Sequence, residues 1–486
     1  MIIAIKNGNV YDGLGNPPSR KNILIRGDRI IRIDDAPIRN ADVTIDALGA
    51  FVMPGFIDIG SYADKTMSIF SDPSQKNVVQ EGITTQIIGN DGTSLVPFSP
   101  HSLELTRSYA SHNETVHNWR RVKDFLLFFS KRKIGTNIGV LVGLSTTRSM
   151  FTRGEARDLT EKELDFCENV LRESFRDGAL GFSIEYDDNG YIEKTSHNEA
   201  ERFISIAAKA KCVYAAHLPR FCLSRALEDT FLNLKDENTN LELSYARPFI
   251  NQIEAYSETA EFMEKLSGKT YAHFDLNPFG ESTVSAEAFL PQWARGKTRA
   301  LTLDAIFSPG TRERLEEYFK TQKDNNLVIG SVVDASLRFL EGKTLQSFAR
   351  NAGKSYEKGI MEFFRITKLR AHLLYSECEF ISNQFINHHQ IIFSWGRSKN
   401  ARSGPLEFLK FAEKGKFIVL EKAIEKMTSL PAKKFGIAKR GILAQGNYAD
   451  IVVARDFQAT NIFINGKRVV GSGVEGSLFG RVLKNL

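Results

Sequence analysis

Two short stretches carry side chains that could take a metal ion. Asp91 sits between glycines in Gly89-Asn90-Asp91-Gly92, and His217 closes the apolar run Val213-Tyr214-Ala215-Ala216. A carboxylate is a competent hard ligand for a divalent cation. An aspartate flanked by glycines equally suits an Asx turn. A lone strand-end histidine is either a ligand or a hydrogen-bonded structural residue. One histidine and one carboxylate rarely hold zinc, because catalytic zinc sites present three protein ligands. Arg402, in Asn400-Ala401-Arg402-Ser403-Gly404, offers a guanidinium fork that matches a carboxylate, or is an exposed arginine.

The elements that position these groups alternate. Runs such as 84–89, 137–143, 180–183 and 213–217 are short, apolar and closed by small or polar residues. Helical patterns lie between them, at 160–176 and 198–211; Thr160-Glu161-Lys162-Glu163 fits a capping box, and Leu164, Cys167, Leu171 and Phe175 follow helical spacing. Repeated strand and helix over such a length imply parallel strands with crossover helices, in the barrel version. Residues 1–53 read as β, with a hairpin at Arg26-Gly27-Asp28, and the far end reads as β again, with Asn465-Gly466 as a turn. The fold class is therefore α/β: a distorted (β/α)8 barrel over 54–431, with a small β-sandwich from 1–53 and 432–486. Residues 284–360 are more helical and form a candidate insertion.

The totals set bounds. The chain has 486 residues and is 42% hydrophobic and 25% charged, which is a globular composition with room for more than one domain. Its net charge of +6 is spread thinly, so Arg120-Arg121 and Lys131-Arg132-Lys133 read as solvated helix faces and no nucleic-acid partner is expected. No apolar run spans a bilayer and the N-terminus lacks a secretory pattern, so no membrane partner is expected. Cys167, Cys212, Cys222 and Cys378 show no CxxC pairing, consistent with reduced thiols and a cytoplasmic location.

A set of motifs then carries a resemblance. They are Gly8-Asn9-Val10-Tyr11-Asp12-Gly13, Asp46-Ala47, Pro54-Gly55-Phe56-Ile57-Asp58, Glu81-Gly82-Ile83-Thr84-Thr85 and Gly89-Asn90-x-Gly92. The tail adds Lys426-Met427-Thr428-Ser429-Leu430-Pro431-Ala432, Phe435-Gly436, Arg440-Gly441, Gly446-x-x-Ala449-Asp450-Ile451-Val452 and Asn465-Gly466. Together they resemble the amidohydrolase superfamily, and within it the N-acyl-D-amino-acid deacylase (D-aminoacylase) group. The resemblance implies a distorted TIM barrel beside a β-sandwich, and a metal at the C-terminal ends of the strands.

Position by position, the resemblance also shows substitutions. The His-x-His pair of the family falls on Gly60 and Tyr62; glycine has no donor, and Tyr62 reads as a packing residue filling the space. The family cysteine ligand falls on Asp91. One family histidine matches His217, but Pro219 displaces the arginine expected two residues later to Arg220. The second histidine falls on Gln252, a poor zinc ligand. The proton-transferring aspartate falls on Trp395, which cannot accept a proton. Arg402 matches an arginine used near the substrate carboxylate, and Asp64 an acidic residue after the His-x-His pair. The substrate side is thus Arg402, Asp64 and Arg220, and the metal side His217 and Asp91. Loss of a proton-transfer group removes roughly a hundredfold to ten-thousandfold in rate.

The expectation from these substitutions is a family member that has lost hydrolysis and acts as a ligand-binding or structural homologue, with no cofactor. The alternative is an active hydrolase of amide bonds in N-acyl-D-amino acids, using one divalent metal (zinc) in a rearranged site. The expected partner is a small molecule carrying a carboxylate. Homo-oligomer formation is left open.

Overall fold

The computed structural model describes residues 1–98, 119–153, 157–185, 197–217, 239–244, 264–266, 271–279, 281–287, 289–296, 299–321, 327–376, 386–395, 404–471 and 478–485. The chain opens with five strands: β1 (Ile2–Val10), β2 (Ser19–Arg26), β3 (Arg29–Asp34), β4 (Val43–Asp46) and β5 (Phe51–Pro54). Alternation sorts their faces: Ile3, Ile5, Ile23, Ile25 and Val52 are buried together, as period-two strands require. The hairpin at Gly27 forms as its sequence predicts, with that glycine at φ 64°.

Eight parallel strands follow: β6 (Phe56–Asp58), β7 (Ile83–Ile88), β8 (Asn137–Gly143), β9 (Gly181–Glu185), β10 (Val213–His217), β11 (Asn240–Ser244), β12 (Tyr271–Leu276) and, after an insertion, β16 (Ile391–Phe393). They pair in chain order from β6 to β12, and β12 pairs with β16. The two outer strands are drawn together where the Trp395 N–H donates to Asp58 Oδ1 at 2.9 Å. The barrel interior is filled by Ile57, Ile87, Leu141, Val213, Ala215 and Ile392. The capping box at Thr160 and Glu163 is present, and it starts the helix Glu161–Asp177.

The insertion lies between β12 and β16. It holds a three-stranded antiparallel sheet, ordered β13 (Glu281–Ser285), β15 (Ala371–Ser376), β14 (Val328–Val332). Four helices, Arg299–Ile306, Pro309–Thr321, Leu345–Asn351 and Tyr356–Thr367, cover it. Leu315, Phe319, Ile329, Phe363 and Phe364 form a hydrophobic core of its own. The irregular helical character read from 284–360 is that of this small α/β unit, whose strands reach back to 281 and on to 376.

The tail explains its own motifs. The helix Ser429–Lys434 closes the N-terminal end of the barrel, with Ala432, Phe435 and Ile437 continuing the interior packing. Strands β17 (Ile451–Arg455), β18 (Gln458–Ile464) and β19 (Lys467–Val470) then join the first sheet, because β17 pairs antiparallel with β5. Sheet and barrel are riveted by buried polar groups. Arg440 pairs with Asp450 and donates to Asn465 Oδ1 at 2.7 Å. Asn137 of β8 donates to Asp450 at 3.2 Å and accepts from Asn465 at 2.9 Å. Among the described residues no helix is long and apolar enough to cross a membrane.

Candidate active site

Alternation along β10 turns Val213 and Ala215 into the barrel, so His217 faces the interior at the strand's C-terminal end. Asp91 reaches the same place from the turn after β7. That turn is left-handed at Gly89 (φ 84°) and at Asp91 (φ 50°). Aspartate tolerates this conformation; at Gly89 a Cβ would collide with the Leu141 carbonyl oxygen. The backbone-tying role expected of an Asx residue falls to Asn90, whose amide donates to the Ile87 carbonyl at 3.0 Å and the Ser61 carbonyl at 3.3 Å. Asp91 instead points its carboxylate into the mouth.

Among the described residues it meets His217, Lys65 and Tyr62 there. His217 Nδ1 lies 3.2 Å from Asp91 Oδ1. Lys65 Nζ lies 2.9 Å from Asp91 Oδ2, with both side chains buried. The Tyr62 hydroxyl donates to the same oxygen, and the Lys65 ammonium lies 4.4 Å from the centre of the Tyr62 ring. Tyr62 is therefore not the inert packing residue its sequence position implies, because its hydroxyl is part of the polar set. Lys65 was not singled out by the sequence; its place two turns of chain after Asp58, in Ser61-Tyr62-Ala63-Asp64-Lys65, was the available signal.

Asp64 lies behind this group. Its Oδ2 accepts the Gly89 N–H at 3.0 Å, so it braces the turn that carries Asp91. Complete burial pushes its carboxyl up to about 6, against the opposing pull of Lys65. Gly60 faces inward: a Cβ there would stand 3.2 Å from Ser394 Cβ and 3.5 Å from Asp275 Oδ2. Asp275, buried near the end of β12, is a mouth carboxylate that motif reading missed. Its signal was the alternation of His273 and Asp275 with apolar Phe274 and Leu276. The Trp395 ring packs against Phe408 and Phe279, at centroid distances of 5.9 and 6.2 Å, and Ser394 takes the place nearer Gly60. Arg220, Gln252 and Arg402 lie outside the described residues; β11 ends at Ser244, so Gln252 comes eight residues after the strand.

No family model matches the sequence. Curated relatives do: an N-acyl-D-glutamate deacylase of Alcaligenes xylosoxydans xylosoxydans is 24% identical over 466 residues, covering 93% of this chain and 86% of the relative. A D-aminoacylase of the same organism is 24% identical over 474 residues, covering 93% and 87%. The N-acyl-D-glutamate deacylase of Bordetella bronchiseptica, solved with zinc and a phosphonate mimic of the tetrahedral intermediate, superposes with a TM-score of 0.79 at 20% identity over 99% of both chains. Over nearly its whole length this chain is similar to the D-aminoacylase group of the amidohydrolase superfamily. A D-aminoacylase structure described for its binuclear metal centre, with one-metal activation and second-metal attenuation, superposes at a TM-score of 0.78 and 21% identity.

These findings correct the expectation of no cofactor. The solved family members are metal proteins, and the described residues of this chain include a group with metal-ligand character, Glu264, His388 and His389. The 3.2 Å between Asp91 Oδ1 and His217 Nδ1 is close to the edge of a tetrahedron drawn with ligand distances of about 2.0–2.1 Å. Gly60 contributes no donor, and the Tyr62 hydroxyl is engaged with Asp91.

Proposed function

We propose that this chain hydrolyses the amide bond of small N-acyl amino acids, with N-acyl-D-amino acids as the first class to examine. The reading rests on one observation: Asp91 and His217 meet at the mouth of a family barrel at a spacing suited to one divalent ion. Such an ion, held by Asp91 and His217, would supply Lewis-acid polarisation of the acyl group. Lys65 and Tyr62 hold Asp91 through Oδ2 and so fix the direction of Oδ1, as outer partners of a ligand do. Asp275 replaces the missing proton carrier. It takes a proton from the attacking water and returns it to the amine as the C–N bond breaks. Arg402 and Arg220 bind the carboxylate of the substrate.

The test is release of free amine from a panel of N-acetyl-D-amino acids with acidic, aliphatic and aromatic side chains, with zinc supplied. Release that falls at least a hundredfold in Asp91→Ala and in His217→Ala supports the reading. Release no greater than that of these variants rejects it.

A second reading, a ligand-binding homologue without turnover, is favoured by the Lys65–Asp91 contact. A buried ammonium already neutralises the carboxylate that an ion would need. Saturable binding of an N-acyl amino acid with no amine release would select it.

A further inference from the structure

We infer that this chain carries a zinc-class site on the face of the barrel opposite its mouth, made by Glu264, His388 and His389, and that the ion staples two chain segments together there. His388 and His389 directly precede β16, and Glu264 precedes β12, so all three lie at the N-terminal ends of parallel strands. Asp91 and His217 follow the C-terminal ends of theirs. The two groups are therefore separate.

One ligand atom from each of the three residues lies within 4.8 Å of the others. His388 Nε2 is 3.0 Å from Glu264 Oε1, near the spacing of two ligands on one ion. The rings of His388 and His389 stack at 4.7 Å with 27° between their planes, which brings a second imidazole alongside the first. Two imidazoles and a carboxylate are a three-ligand set that zinc accepts, with a fourth position left to solvent.

The first of these residues is held in place before any ion arrives. The Gln390 N–H lies 3.3 Å from His388 Nδ1, and the ring presents Nε2 to Glu264. Lys426 donates to the carbonyls of His388 and Ile391 and so pins the turn that carries the histidines. Glu264 is largely exposed, so its side chain can close the remaining gap without moving the backbone.

The consequence is mechanical. Glu264 and the histidines are separated by the whole insertion, and an ion between them would tie the approach to β12 to the approach to β16.

The experiment uses the full chain without a histidine tag, dialysed against limiting zinc. Zinc per chain and the thermal midpoint are compared for the native protein, Glu264→Ala, the double variant His388→Ala/His389→Ala and the mouth variant Asp91→Ala/His217→Ala. The site requires that Glu264→Ala and the double histidine variant each lose the zinc, and the part of the zinc-dependent rise in midpoint, that the mouth variant keeps. It also requires that the mouth variant keep both. Glu264→Ala is the decisive variant, since an exposed side chain can be removed with the fold intact. Equal zinc affinity and equal midpoint shifts in the native protein and Glu264→Ala would overturn the inference. Neither readout depends on amide hydrolysis, so failure here leaves the proposed reaction standing, and the reverse holds too.

Discussion

Lys65 and Asp91 form a buried ion pair at the barrel mouth, with Nζ 2.9 Å from Oδ2. Removing one partner of a buried pair leaves an uncompensated charge and costs about 3–5 kcal/mol. Lys65→Met is expected to lower the unfolding free energy, read from chemical denaturation, by that amount. Lys65→Met/Asp91→Asn, which removes both charges, should recover a large part of it. A single variant as stable as the native protein would show that Asp91 does not depend on Lys65.

Asp64 gives the fold a pH signature. Its folded carboxyl is raised to about 6, against an unfolded value of about 3.9. The folded state therefore holds this proton more tightly. Its contribution is fully present below about pH 4, declines as pH rises toward 6, and is gone above that, a change of about 3 kcal/mol. The difference in unfolding free energy between native protein and Asp64→Asn should follow that curve between pH 4 and 7. A flat difference would show that the carboxyl titrates normally.

Gly89 should tolerate no side chain. It combines φ 84° with a Cβ direction that runs into the Leu141 carbonyl. Gly27, at φ 64° in a hairpin, has open space around it. Gly89→Ala is expected to cost several times the roughly 1 kcal/mol that a left-handed alanine costs at Gly27. Thermal midpoints of the two variants test this ordering, and equal losses would contradict it.

Arg440 should matter to stability although it is remote from the mouth. It pairs with Asp450 and holds Asn465, both buried beside Asn137. Arg440→Met is expected to lose about 3–5 kcal/mol, read from urea denaturation, with the described mouth geometry untouched. A loss under about 1 kcal/mol would mean the rivet is redundant.

Much of the architecture was legible because it obeys short-range rules. Alternating strands, the Thr160–Glu163 capping box and the Asn465-Gly466 turn are set by neighbours a few residues apart, and each stands where its pattern placed it. The tail motifs were recognisable but not interpretable, since Arg440, Asp450, Asn465 and Asn137 meet only after the barrel closes. The mouth was read least well. Lys65 carries no motif, yet folding sets it against Asp91, and Trp395 fills an expected acid's position while its ring turns away toward Phe408. Side-chain direction at a strand end depends on the barrel's tilt and its neighbours, which linear spacing does not encode.

The pairing of β5 with β17 has a consequence for biosynthesis. Pro54 leaves the ribosome roughly 400 residues before its partner Ile451. At about 5–20 residues per second, the edge of β5 waits some 20–80 seconds for the strand that covers it. During that interval the nascent chain shows the open edge of an apolar strand to its surroundings, and it is then that a holding chaperone would find its target.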